Sequence, residues 1–416
     1  MAPHPKKNVT TCVVGGGSSA HVLIPLLSEM GHTVNLYTRR PDEWKDDVSC
    51  EITNGVTGQV STTYHGTIHR KSNNAADVIP TADVIILCLP VYVYRPVLDQ
   101  IAPFVSQTKK EVFVGTIFGQ AGFDWMVSSS IIRQEEEEEE PRSNIVTFAI
   151  GSIPWICRTR TYGERGINYG PKDVNVVAVT PPGRFDKLND IFLKDISSRT
   201  MGKVKFELAD SFLDLTLSVD NQIIHPARCY GLWKKSGGTG VWDSLAAVPF
   251  FYRDFDQESA DILQRLDAEY ERIRQAIRSK LPQKKFKYML GYLELEKLNH
   301  KSSHVGILAS LKESVQLASI KTPTVEGPDG KRHLDINFRF FKDDIPYGLL
   351  IAKALAEMLE VKTPFLDEVI VWAQTLRGEC FLNKEGKINL KYCMSQEYLC
   401  GIPQVYGLHT IEALDN

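Results

Sequence analysis

Three side chains in the second half of the sequence have the chemistry to move a proton and grip an acid. His225 stands before Pro226, and imidazole is the side chain whose ordinary pKa lies near neutrality, which suits proton transfer. Asp344 precedes Ile345-Pro346 and an apolar run. An aspartate there caps a helix by accepting from open backbone N–H groups, and capping does not exclude pairing with a histidine. Arg339 sits in Asn337-Phe338-Arg339-Phe340-Phe341, and its guanidinium can bind a carboxylate through two parallel hydrogen bonds. Taken singly, each has a plainer reading: a structural histidine, a helix cap and a surface arginine. A fourth group is made of small residues. Cys12 to Ala20 read C-V-V-G-G-G-S-S-A, an apolar strand running into Gly15-Gly16-Gly17-Ser18-Ser19-Ala20. This is the G-x-G-x-x-A form of the dinucleotide fingerprint. Gly15 allows the tight turn, Gly17 lets backbone approach a pyrophosphate, and Ala20 lets the next helix pack on the strand. The N–H groups at that helix's start then face phosphates.

The elements needed to position these groups follow in order. His21 to Met30 carries apolar residues at helical spacing, and Gly31 stands where a C-cap residue would. Thr33 to Tyr37 reads as a second strand. At its end, where a ribose-binding acid often lies, the chain has Thr38-Arg39-Arg40. An arginine there can accept a 2′-phosphate, stack on adenine or remain a solvated loop charge. The run Ala82 to Leu89 predicts a strand buried on both faces, ended by Pro90 with a loop to Tyr94. Glu111 to Thr116 predicts a strand leading into the loop Gly119-Gln120-Ala121-Gly122-Phe123, and Ile145 to Ile150 one leading into the loop Gly151 to Arg158. In open α/β sheets ligands bind beyond the carboxyl ends of strands, so these loops are candidate walls. Glu135 to Glu140, before Pro141, reads as a solvated acidic loop.

Beyond about Lys205 the pattern becomes helical. Leu263, Leu266, Tyr270, Ile273 and Ile277 form one apolar stripe, and Phe212, Leu215, Val219 and Ile223 another. Pro226 disfavours helix in the residue before it, which places His225 at or near the end of a helix from Phe212 to Ile224. Ile345 to Glu360 and Phe365 to Leu376 read as a helical pair. The expected architecture is an α/β, doubly wound Rossmann-type domain over 1–205 and a mostly α-helical domain over 206–416. Substrate is expected in the cleft between the two.

Composition agrees with a soluble enzyme: 416 residues, 43% hydrophobic and 24% charged. A formal net charge of -3 argues against nucleic acid as a partner. Met1 to Lys7 lead into the fingerprint strand without a signal-peptide core, and no apolar stretch approaches the ~18 residues that span a membrane. The eight cysteines are scattered without a C-x-x-C pair, which favours reduced thiols in the cytoplasm and no metal site.

The fingerprint, Pro154-Trp155-Ile156-Cys157-Arg158, His225-Pro226-Ala227, Arg339 with Asp344-Ile345-Pro346, and Pro403-Gln404-Val405-Tyr406-Gly407 together resemble the octopine dehydrogenase family of opine dehydrogenases. The resemblance spans nearly the whole chain in order. It implies an oxidoreductase in which NADH reduces the imine formed by an amino acid and pyruvate, NADPH being left open. His225 would then be the general acid/base, Asp344 would hold and polarise it, and Arg339 would bind a substrate carboxylate. The implied cofactor residues are Gly15, Gly16, Gly17, Ser18, Ser19, Ala20, Thr38, Arg39 and Pro90. The implied substrate residues are Gln120, Cys157, Arg228 and Arg339, and a monomer is implied. Octopine-forming members look acidic around Gly151, and Gly291 stands where they carry a bulky aromatic. Arg228 adds positive charge after His225-Pro226-Ala227. These departures favour a small amine with an acid group (alanine, glycine, β-alanine or taurine) over arginine. A hydroxy-acid dehydrogenase and a non-catalytic dinucleotide sensor are the alternatives.

Overall fold

The computed structural model describes residues 9–54, 57–105, 110–132, 144–197, 205–312 and 317–415. The acidic run Glu135–Glu140 lies outside them. Contacts divide the chain into two compact units, Met1–Leu215 and Thr216–Asn416. The first unit extends past Lys205 because the strand Lys205–Leu208 adds to its sheet.

In unit one the elements relevant here are β1 (Thr10–Val14), α1 (Ser18–Glu29), β2 (Thr33–Tyr37), β3 (Asp47–Thr53), β4 (Val60–Thr67) and β5 (Arg70–Ser72). They continue with β6 (Val84–Leu87), α2 (Tyr94–Val105), β7 (Val112–Thr116), β8 (Ile145–Ile150), β9 (Trp155–Thr161), β10 (Arg165–Pro171), β11 (Val174–Thr180) and β12 (Lys205–Leu208). Eight strands form one sheet in the order β12-β11-β8-β7-β6-β1-β2-β5. From β8 to β5 every neighbour is parallel, and β11 runs antiparallel to β8. Every residue of β6, β7 and β8 is buried, as their unbroken apolar runs require of strands covered on both faces.

A second sheet, of order β4-β3-β10-β9, departs from the simple strand–helix alternation. Part of the expected loop Gly151 to Arg158 is strand: β9 begins at Trp155. This sheet is tied to the first turns of α1. Ser18 Oγ accepts from Thr159 N at 3.1 Å, and Gly163 N donates to His21 Nε2 at 2.8 Å.

Unit two is built on helices Asn221–Lys235, Gln257–Lys280, Tyr292–His300, Leu350–Met358 and Pro364–Arg377. A small sheet pairs Arg332–Leu334 with Val241–Trp242 and Thr324–Glu326. Leu263, Leu266, Tyr270, Ile273 and Ile277 are all buried, so the stripe on the longest of these helices is a core face. The expected Phe212–Ile224 helix is two elements, Phe212–Leu217 and Asn221–Lys235. Asp220 caps the second by accepting from Asn221 N at 2.6 Å. His225 therefore lies inside a helix, and Pro226 is accommodated in its second turn at the loss of one hydrogen-bonded rung. Among the described residues no helix is long and apolar enough to cross a membrane, and no His/Cys/Asp/Glu group could hold a metal ion.

Candidate functional site

In unit one the strand-to-helix turn after β1 is formed by backbone. Gly15 has φ of +111°, and its N–H donates to the Tyr37 carbonyl at 2.8 Å, fixing the turn to the end of β2. A Cβ at Gly15 would lie 2.6 Å from the Cys88 carbonyl oxygen, so only glycine fits. Gly17 caps α1 with no side-chain hydrogen bond. A Cβ there would meet the Cys88 carbonyl oxygen at 3.6 Å, an ordinary contact. The protein itself thus leaves room at Gly17, and the missing side chain opens the helix start, whose first N–H groups have no intrahelical acceptor. A dinucleotide pyrophosphate fits this cradle.

The other cofactor candidates surround the turn. Ala20 is buried against the sheet, and Ser19 is buried with Oγ 3.9 Å from Cys157 Sγ on β9. Thr38 is buried, and its N–H donates to the Ser72 carbonyl at 3.0 Å. Arg39 is exposed, with no hydrogen bond or ion pair among the described residues. Arg40 lies over the Tyr162 ring at 4.1 Å and pairs with Glu43 at 3.1 Å. Pro90 is half-buried and precedes the turn Val91–Val93. Gln120 is buried in the loop after β7, where Gly119 N donates to the Ile150 carbonyl at 2.8 Å.

In unit two, folding brings His225 and Asp344 together across 119 positions: His225 Nδ1 lies 2.7 Å from Asp344 Oδ2. Asp344 occupies a helix N-cap position without a side-chain cap bond, because its carboxyl group points at the imidazole. His225 Nε2 lies 3.1 Å from Tyr252 Oη. The ring stacks on Phe340 at 3.7 Å and meets the edge of Phe251 at 5.6 Å. With the carboxylate accepting from Nδ1–H, Nε2 is left to exchange a proton with the phenol. The site is dry: His225 is 1% and Asp344 5% exposed. Burial pushes the histidine well below its ordinary range, the Arg339 charge adds to that, and Asp220 opposes it. Burial likewise lifts Asp344 well above the carboxylate range, with Arg339 lowering it and Asp220 raising it. The two shifts have one main cause, since burial works against charge on either group.

Arg339 is exposed, its guanidinium 5.6 Å from the Phe340 ring centroid, and no ion pair among the described residues holds it. Arg228 is placed differently from the sequence expectation. It is fully buried, and its guanidinium donates to Asp254 O at 2.6 Å and Ser259 Oγ at 3.2 Å and pairs with Asp256 at 3.2 Å. It fastens the 250–256 segment to the helix that carries His225, as a buried guanidinium must find partners. Of the specificity positions, a Cβ at Gly151 would stand 3.0 Å from Leu215 Cδ2, a tight contact to the end of a flexible side chain. Gly291 caps the helix Tyr292–His300, and its N–H donates to Glu294 at 3.0 Å.

Residues 208–377 match the family model of the NAD/NADP octopine/nopaline dehydrogenase alpha-helical domain. The chain is 26% identical to an opine dehydrogenase of Haliotis discus hannai over 99% of both chains. It is 25% identical to a tauropine dehydrogenase of Arabella iricolor, over 98% of this chain and 100% of the relative. The chain is thus similar to the octopine dehydrogenase family, through its helical domain and through relatives that match over nearly its whole length. It is an oxidoreductase, as the named opine dehydrogenases are. A solved octopine dehydrogenase in complex with NADH and agmatine has the same fold, with TM-score 0.78, 21% identity and 98% of each chain covered. The opine dehydrogenase resemblance singled out His225, Asp344 and Arg339 but not Tyr252. A tyrosine in Pro249-Phe250-Phe251-Tyr252-Arg253 carries no spacing signal, and only the fold reveals its contact with the histidine.

Proposed function

We propose that this chain condenses an amino acid with pyruvate and reduces the resulting imine to an opine, with NADH as the hydride donor. The observation that carries this reading is the buried His225–Asp344 pair, with exposed Arg339 adding its charge to both groups. Condensation needs a base to take a proton from the substrate ammonium and an acid to return one as water leaves. An imidazole kept neutral by burial and held by a carboxyl group can do both. Arg339 would hold a substrate carboxylate, pyruvate and amino acids both carrying one. The backbone of Gly15 to Ser19 would hold the cofactor's pyrophosphate, and the cofactor when bound supplies the hydride. Thr38, Arg39 and Pro90 are assigned to the cofactor, and Gln120 and Cys157 to substrate, on the family resemblance. Arg39, exposed and unpaired among the described residues, keeps NADPH open as a second donor.

We read the amine as small and acid-bearing rather than guanidinium-bearing. The support is the absence of an acid at Gly151 and of an aromatic at Gly291. Arg228 lends no support to this reading, since its guanidinium is committed internally. We further infer a cytoplasmic monomer without a nucleic-acid partner. All eight cysteines are free thiols, and the net charge is -3. The test is NADH and NADPH oxidation with pyruvate and each of alanine, glycine, β-alanine, taurine and arginine. Turnover that needs both an oxo acid and a small amine is expected. Turnover with the oxo acid alone would move the chain to hydroxy-acid chemistry, and a preference for arginine would overturn the choice of amine.

A further inference from the structure

His225 offers no open nitrogen to a substrate. Nδ1 is bonded to Asp344 at 2.7 Å, Nε2 lies 3.1 Å from Tyr252 Oη, one ring face is covered by Phe340 at 3.7 Å, and the residue is 1% exposed. The phenol occupies the one ring nitrogen through which acid/base chemistry would run. Its placement is built into the unit. Tyr252 lies in a turn between the helices Asn221–Lys235 and Gln257–Lys280. Arg228, one helical turn beyond His225, clamps that turn by donating to Asp254 O at 2.6 Å and pairing with Asp256 at 3.2 Å. Within the turn, Phe250 N donates to Asp254 Oδ2 at 2.7 Å. The helix that carries the histidine thus also carries the anchor for the tyrosine above it.

We propose that Tyr252 is the proton carrier between His225 and the substrate, the inner relay being Oη, Nε2, Nδ1 and Asp344. This rests on the imine-forming reading above. As the amine attacks the oxo carbon, the substrate ammonium gives a proton to Tyr252 Oη while the phenol passes its own to His225 Nε2. The imidazole then holds one proton more, balanced by Asp344. The attacking nitrogen passes its second proton to the former oxo oxygen, which makes the carbinolamine hydroxyl and restores the nitrogen lone pair. When the carbinolamine collapses, that lone pair forms C=N and the C–O bond breaks. The departing hydroxyl takes the phenol proton, which His225 replaces from Nε2. One proton enters and one leaves as water, and the pair returns to its starting state. Tyr252 is thereby the group that touches the reacting atoms, and His225 acts through it.

Tyr252→Phe keeps the ring and removes only Oη. It is expected to lower kcat about 100-fold, with the KM values for pyruvate and the amine and the Kd for NADH changed less than about twofold. The solvent deuterium isotope effect on kcat should change as well, which a merely structural tyrosine would not produce. A kcat within about twofold of wild type, or an increased kcat as for a plug being removed, overturns the relay. Should the phenylalanine variant melt early, 3-fluorotyrosine at 252 alters only the acidity of Oη. A change in kcat of about twofold or more is then expected, and none overturns the proposal. Wild type is assayed beside both. If it reduces an oxo acid without an amine, the imine reading fails while the comparison still tests the relay on that reaction. A wild type inert on every pair overturns both.

Discussion

In Gly15 to Ala20 the groups offered to a ligand are backbone amides, whereas around His225 they are side chains gathered from positions 220 to 344. The first site is local: one turn, fixed by a positive φ and a hydrogen bond from Gly15 to Tyr37. The second exists only when distant segments have packed. A backbone cradle therefore depends on what side chains are absent, and a proton site on which ones are present and how dry they are. Single substitutions should act differently on the two.

The largest effect is expected at the proton site. His225→Asn should lower kcat by about 10²- to 10⁴-fold, with NADH binding, measured by fluorescence titration, unchanged. Loss of NADH binding in that variant would break the separation of the two sites. Arg339→Gln should come next. Losing a charged hydrogen bond worth about 1.5–3 kcal/mol raises the KM for one acid substrate roughly 10- to 100-fold. Because Arg339 is exposed, the melting temperature should hold, and a fall there would recast it as structural. The smallest effects belong to the cradle and distinguish its two glycines. Gly15→Ala must adopt a strained φ, at a cost of about 1–3 kcal/mol, and should lower both stability and NADH affinity. Gly17→Ala has room within the protein, so stability should be kept while the NADH Kd rises about tenfold. Equal stability losses in the two variants would show that both glycines serve the fold alone.

The same contrast decides what the sequence discloses. The central strands β1, β2, β6, β7 and β8 were legible because buried parallel strands are nearly continuous apolar runs. The second sheet was not. β4 reads Val-Ser-Thr-Thr-Tyr-His-Gly-Thr with several exposed positions, and β10 pairs in parallel with β3, more than a hundred positions earlier. Long-range pairing leaves no local period. Pro226 misled in another way, because its bias against helix was outweighed by the packing of the Asn221–Lys235 helix, whose residues from Gln222 to Leu232 are all buried. His225, Arg339 and Asp344 were singled out through a motif order. Tyr252 was not, because its role follows from where Arg228 pins a loop.

The bond between His225 and Asp344 closes a loop of 119 positions. Closing so long a loop costs entropy that local helices avoid, and contacts of this range tend to be reached after near neighbours have paired. The turn from Gly15 to Ala20 joins adjacent elements and can form early. A newly made chain would on this basis have a working nucleotide turn before it has a working proton site. Destabilised forms that still bind cofactor but no longer turn over are therefore the expected first stage of its loss.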